Sequence, residues 1–198
     1  MNKWIMAGTA AAFTGAAAFA RSEYERIHLD IVHYDIKTDK LGLEWNGFKA
    51  VFLSDLHDNS FGMENEELLA AIEKEQPDIV VIGGDMLVVK EWAAPHFDML
   101  ANLYKKLVKR YPVYYAFGNH EQRMKEEPLT YPGWWQSYWK VLKDSGMHVL
   151  VNKSEEIIKN DTAMRISGIT LPRECYRKGR IPSLSAGYID KKIGKASD

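Results

Sequence analysis

The chain alternates short apolar runs with polar, glycine-bearing breaks, and that rhythm predicts its elements. Three runs have the length and apolar character of buried strands: Phe48–Leu53, Asp78–Ile82 and Val113–Phe117. Between the first two, Glu66–Glu75 sets Leu68, Leu69 and Ile72 at helical spacing, and Gln76-Pro77 stops the helix before the next strand. Pro95–Arg110 places Phe97, Leu100, Leu103, Tyr104 and Leu107 on one face, which predicts a second crossover helix. Gly133–Ser145 predicts a third. Upstream, Ile27–Ile36 alternates apolar and polar residues with the period of a half-buried strand. Downstream, His148–Val151, Glu155–Lys159 and Met164–Ile169 read as consecutive short strands without intervening helices, the beginning of a second sheet. Leu171–Ser183 reads as a loop and Ala186–Lys195 as a final helix. The fold class is therefore α/β.

The N-terminus breaks this rhythm. Trp4–Ala20 is a 17-residue uncharged, alanine-rich run between Lys3 and Arg21. It sits at the lower limit for a membrane-spanning helix, and Ala18-Phe19-Ala20 resembles a small-x-small cleavage site. An uncleaved signal anchor and a cleaved signal peptide both fit. The expected organisation is a leader with spacer over residues 1–26 and one domain over residues 27–198. Either form of export leads us to expect a membrane-held or secreted protein with its working part outside the cytoplasm.

Composition narrows the chemistry. The chain has 198 residues, 46% of them hydrophobic, enough for one domain with a real core. Its 26 basic and 27 acidic residues give a net charge of −1, so no basic field points to nucleic acid. The single cysteine, Cys175, excludes an internal disulfide and a cysteine-rich zinc site.

Candidate chemistry lies at the ends of the three apolar runs. Ser54-Asp55-Leu56-His57, Gly83-Gly84-Asp85 and Gly118-Asn119-His120-Glu121 each follow one of them. A site for two divalent ions needs one carboxylate shared between them and separate ligands on either side. Asp85, ending a buried strand beside two glycines, suits the shared position. Asp55 and His57, two residues apart, can turn to one ion, and Asn119 offers a neutral amide oxygen to the other. His120 is then free to meet substrate. Mixed nitrogen and oxygen donors suit Mn, Fe or Zn better than Ca. The Trp134–Trp139 stretch reads either as a helix packing aromatic faces into the core or as a lipid-facing patch.

These motifs resemble the calcineurin-like metallophosphoesterase superfamily, whose signature runs D-x-H, G-D, G-N-H-[DE] and then further histidines. The leader followed by HYDIKTDKL, SDLHDNSFG and PDIVVIGGDM is similar to its bacterial membrane-associated branch, which includes UDP-2,3-diacylglucosamine pyrophosphatases and general phosphodiesterases. The resemblance implies two mixed β-sheets flanked by helices, a four-layer sandwich with the metals at strand ends. By motif, Asp55 and His57 would hold the first metal, Asp85 would bridge, and Asn119 would bind the second. His120 would orient the phosphate and assist the leaving group, and Glu121 would fix the loop from behind. The implied activity is two-metal hydrolysis of a phosphodiester or pyrophosphate, with small-molecule, lipid-linked and nucleotide-sugar phosphoesters as substrate classes and a membrane reached through the leader.

The later histidines of that signature have no counterpart after Glu121. His148 is the one histidine left, and it reads as an ordinary strand-edge side chain. The second metal would then have only Asp85 and Asn119. The expectation is a C-terminally truncated member with an incomplete second sheet. The alternative is a catalytically incompetent half-domain that acts at most as a weak metal binder or a membrane-anchored interaction remnant.

Overall fold

Four strands pair side by side in the order in which they occur along the chain. They are β1 (Ala50–Leu53), β2 (Ile79–Ile82), β3 (Val113–Tyr115) and β4 (His148–Val149), and every pairing is parallel. The computed structural model describes residues 15–22, 24, 28–177, 179 and 182–195. Between the strands run α1 (Glu66–Glu75), α2 (Phe97–Val108), α3 (Asn119–Glu126) and α4 (Trp134–Ser145). A sheet that grows in one direction through crossovers of one hand collects its helices on one face. Accordingly Leu68 and Ile72 of α1, Leu100, Leu103, Tyr104 and Leu107 of α2, and Tyr138 and Leu142 of α4 form one core with Val80, Ile82, Val113 and Tyr115. Each such leucine, taken from water, contributes about 2 kcal/mol.

The opposite sheet face meets a hairpin of β5 (Lys153–Lys159) and β6 (Thr162–Gly168), paired antiparallel. Ile157 and Ile166 of the hairpin pack on a smaller core of Ile79, Tyr114 and Leu150. The expected arrangement of two sheets flanked by helices is therefore present, with the two strand directions divided between the sheets. The hairpin covers only part of the face. Phe52, on the same side of edge strand β1, remains 66% exposed.

Two expectations need correction. Ile27–Ile36 forms no strand in its described part, residues 28–36: the backbone there joins no ladder, and Tyr34 and Ile36 stand exposed. Alternation alone makes a strand only where a neighbour takes up its backbone groups; here the segment is held instead by a His33 Nε2 contact to Glu75 Oε2 of α1 at 2.9 Å. Secondly, Asn119–Glu126 is a helix and not a loop. Its one buried apolar residue is Met124, so it has no apolar stripe by which a helix is recognised.

At the C-terminal end, α5 (Tyr188–Ile193) is shorter than the predicted helix, and a 3₁₀ turn, Arg173–Tyr176, lies within the predicted loop. Residues 15–22 are helical. Most of the Trp4–Ala20 run expected to span a membrane lies outside the described residues, and among the described residues no helix is long and apolar enough to cross one.

Candidate metal centre

All three motifs emerge at the carboxyl edge of the parallel sheet, where open α/β sheets place their ligands. The loops after β1 and β2 are stitched together by their backbones. Asp55 N–H donates to Gly84 O, His57 N–H to Asp85 O and Asp58 N–H to Met86 O, each at 3.1 Å. To make these bonds Asp55, His57, Asp58 and Asp85 adopt φ values of 57°, 52°, 58° and 51°. Left-handed backbone at non-glycine residues costs on the order of 1 kcal/mol or more each, and such strain clusters at functional sites.

Two glycines bring the third motif in. Gly84 has φ +92°, and a Cβ there would overlap the Gly118 amide; a Cβ on Gly118 would overlap the Asp85 carboxylate. No larger residue permits that approach. It sets the start of α3 against Asp85, so that His120 N–H donates to Asp85 Oδ1 at 2.8 Å. Asp85 thus receives the positive end of a helix.

The result is a cluster of donors. Ligand atoms of Asp55, His57 and Asp85 lie within 4.8 Å of one another. His57 Nε2 is 3.3 Å from Asp55 Oδ1, and Ser54 Oγ donates to Asp55 Oδ2 at 2.6 Å. Asp85 is buried, whereas Asp55 and His57 open to solvent. Two carboxylates and an imidazole converging from strained loops fit a divalent cation of the Mn, Fe or Zn type. The Asn119 carboxamide lies beside them, its nitrogen best placed as a donor to Asp85 Oδ2 at 2.8 Å. Presenting its oxygen to an ion requires the amide to turn over.

His120 stands across from His57, ring centroids 5.1 Å apart and nearly perpendicular. Its Nδ1 accepts from Val89 N–H at 3.0 Å, so the neutral ring carries its proton on Nε2. Partial burial holds this imidazole below its ordinary pKa, against the opposing pull of the Asp85 charge.

Behind the cluster, Glu121 is fully buried. It accepts four hydrogen bonds: at Oε2 from Asp85 N–H (3.0 Å) and Gly118 N–H (2.9 Å), at Oε1 from Met86 N–H (3.1 Å) and Tyr115 O–H (2.8 Å). Burial raises its pKa and these bonds oppose that rise. Three obligate backbone donors, with the Tyr115 hydroxyl beside them, favour the ionised form.

His148 is elsewhere, its Nδ1 2.6 Å from Glu155 Oε2. The tryptophans of α4 pack inward in part: Trp135 meets Phe117 edge-on at 5.4 Å and stacks on Trp139 at 5.5 Å. They brace the end of β3 from which Gly118 departs. Sequence reasoning missed two contributors. Asp58 accepts from Val88 N–H at 2.8 Å and His96 N–H at 3.3 Å, closing the loop that carries Val89. Tyr115 reads in sequence as a buried strand residue, and only its hydroxyl contact reveals more.

Two similarities to known proteins bear on the family. The family model described as calcineurin-like phosphoesterase matches residues 48–186, from the start of the first strand past all three motifs. A Bacillus subtilis (strain 168) protein named uncharacterized metallophosphoesterase YkoQ is 32% identical over 117 residues, which are 59% of this chain and 41% of that protein. The match thus spans less than half of the relative's length. With the matched segment enclosing the donor cluster and its glycines, the chain belongs to the calcineurin-like phosphoesterase family.

Proposed function

We propose that this chain is a metal-dependent phosphoesterase acting on a phosphodiester or pyrophosphate bond. The observation that carries it is the convergence of Asp55, His57 and Asp85 within 4.8 Å at the sheet edge. These three would hold the first ion, and Asp85 with Asn119 would supply part of a second position. A bound divalent ion supplies the Lewis acidity that polarises a phosphoryl oxygen and makes water nucleophilic near neutral pH. The chain's own groups do the rest. His120, with Nε2–H directed by the Val89 bond, donates a hydrogen bond to the phosphoryl group and to the departing oxygen, which takes its proton from water. The N-terminus of α3 adds partial positive charge where the phosphate charge grows. Resemblance to the bacterial membrane-associated branch favours nucleotide-sugar and lipid-linked substrates.

The test is calorimetric titration of the full chain with Mn²⁺, followed by turnover of bis(4-nitrophenyl) phosphate and of a UDP-sugar. Asp85→Ala should weaken Mn²⁺ binding by about 10²-fold and reduce turnover to background. Retained turnover in that variant refutes the role of Asp85.

A second reading has its own observation: among the described residues just one group of three His, Cys, Asp or Glu donors is present. One Mn²⁺ per chain without turnover supports the incompetent half-domain. Two ions with turnover support the enzyme.

A further inference from the structure

The main core contains three tyrosine hydroxyls in single file behind Glu121. Tyr115 on β3 donates to Glu121 Oε1 at 2.8 Å. Its oxygen lies 2.6 Å from the Tyr138 hydroxyl on α4, which lies 2.8 Å from the Tyr104 hydroxyl on α2. All three side chains have 0% exposure. Each phenol has one hydrogen to give. Tyr115 gives its own to the carboxylate, which can only accept, so Tyr138 must donate to Tyr115. Tyr138 has then spent its hydrogen, and Tyr104 must donate to Tyr138. The string has one polarity, and it ends on the carboxylate that grips the backbones of Asp85, Met86 and Gly118.

Packing alone does not call for this arrangement. Phenylalanine would fill the same core volumes without placing three hydroxyls where no water reaches them. Aligned hydrogen bonds in a low-dielectric core also polarise one another. Burial raises the pKa of all three phenols well above the ordinary value, so they remain donors at any working pH.

We propose that Tyr115, Tyr138 and Tyr104 are positioning residues of the metal centre, holding the Glu121 carboxylate in the orientation that sets Asp85 and the start of α3 beside each other. This rests on the metal-site reading above. It extends that site some way into the core: α2 and α4, which contribute no donor to the cluster, act on it through a single carboxylate oxygen.

Tyr→Phe variants at the three positions separate this role from packing. The expected result is a graded loss of Mn²⁺ affinity in calorimetry of the full chain. Tyr115→Phe should lose about tenfold, Tyr138→Phe less, and Tyr104→Phe least. Lower urea midpoints with unchanged Mn²⁺ affinity would make the string merely structural and overturn the proposal. Should a variant fail to fold, proton spectra of the wild-type chain titrated with Zn²⁺ decide: the slowly exchanging Tyr115 hydroxyl proton should shift on binding, and a stationary signal overturns the coupling. Equal Mn²⁺ affinity in wild type and variants defeats this inference alone. A wild-type chain that takes up no Mn²⁺ removes the metal-site reading and this inference together.

Discussion

At the scale of single residues, His120 shows how a side chain's role depends on a bond it does not itself choose. The Val89 N–H occupies Nδ1, leaving the proton on Nε2. Val89 is positioned in turn by Asp58, which accepts from Val88 and His96. His120 lies outside the Asp55, His57 and Asp85 group, so its removal should separate chemistry from metal binding. We expect His120→Asn to leave Mn²⁺ affinity within about twofold while turnover falls on the order of 10²- to 10³-fold, measured on bis(4-nitrophenyl) phosphate. Loss of both in proportion would instead make His120 a ligand. Donor residues such as Asp55 and Asp85 are legible in sequence because few side chains bind divalent ions and these follow strand-like runs. The tautomer of His120 is not legible, since a main-chain group 31 positions away decides it.

At the scale of elements, α3 is the piece that joins the site together. Its third residue, Glu121, accepts from Gly118 N–H in the manner of a capping glutamate and also from the loop after β2. The same carboxylate caps a helix and clamps a neighbouring loop. In Glu121→Gln, the amide nitrogen must face an N–H or O–H donor, and the negative charge is gone. A loss of about 2 to 3 kcal/mol in urea unfolding is expected, together with faster hydrogen exchange at the Asp85 and Gly118 amides. Unchanged exchange at those two amides would show that Glu121 does not hold them. Periodicity revealed α1, α2 and α4 because each buries an apolar stripe. It missed α3, whose stability comes from its cap and from Asp85, and it overstated Ile27–Ile36, whose alternation has no ladder to join.

At the scale of the molecule, the two sheets meet through a small core and a few polar links. Trp45 Nε1–H donates to Thr162 Oγ1 at 2.9 Å, bracing the hairpin from the segment before β1. On β4, His148 stacks on Tyr114 at 4.8 Å and contacts Glu155 of β5. The Lys153 hydrogen bond, with that of His148, holds the Glu155 carboxyl below its ordinary value of 4.5. A depressed folded-state pKa stabilises the fold above the unfolded value and ceases to do so as pH falls through the folded one. Wild type should therefore be more stable than Glu155→Gln at about pH 7, with the gap closing below about pH 4. Urea midpoints across that range check this, and a gap independent of pH would assign the effect to packing.

The order of the four parallel strands and of helices α1, α2 and α4, the polar motifs at the strands' carboxyl ends, and the donor types those motifs carry are all legible along the chain. These follow from local period and side-chain chemistry, which neighbours in the chain suffice to express. Packing alone brings Gly84 against Gly118, sets three backbone N–H groups on Glu121, and lines up the Tyr104, Tyr138 and Tyr115 hydroxyls behind it. Each of those depends on a buried polar group finding its partner on another element. Such a group must be satisfied once water is excluded, and which partner it finds is set by how the helices and strands pack.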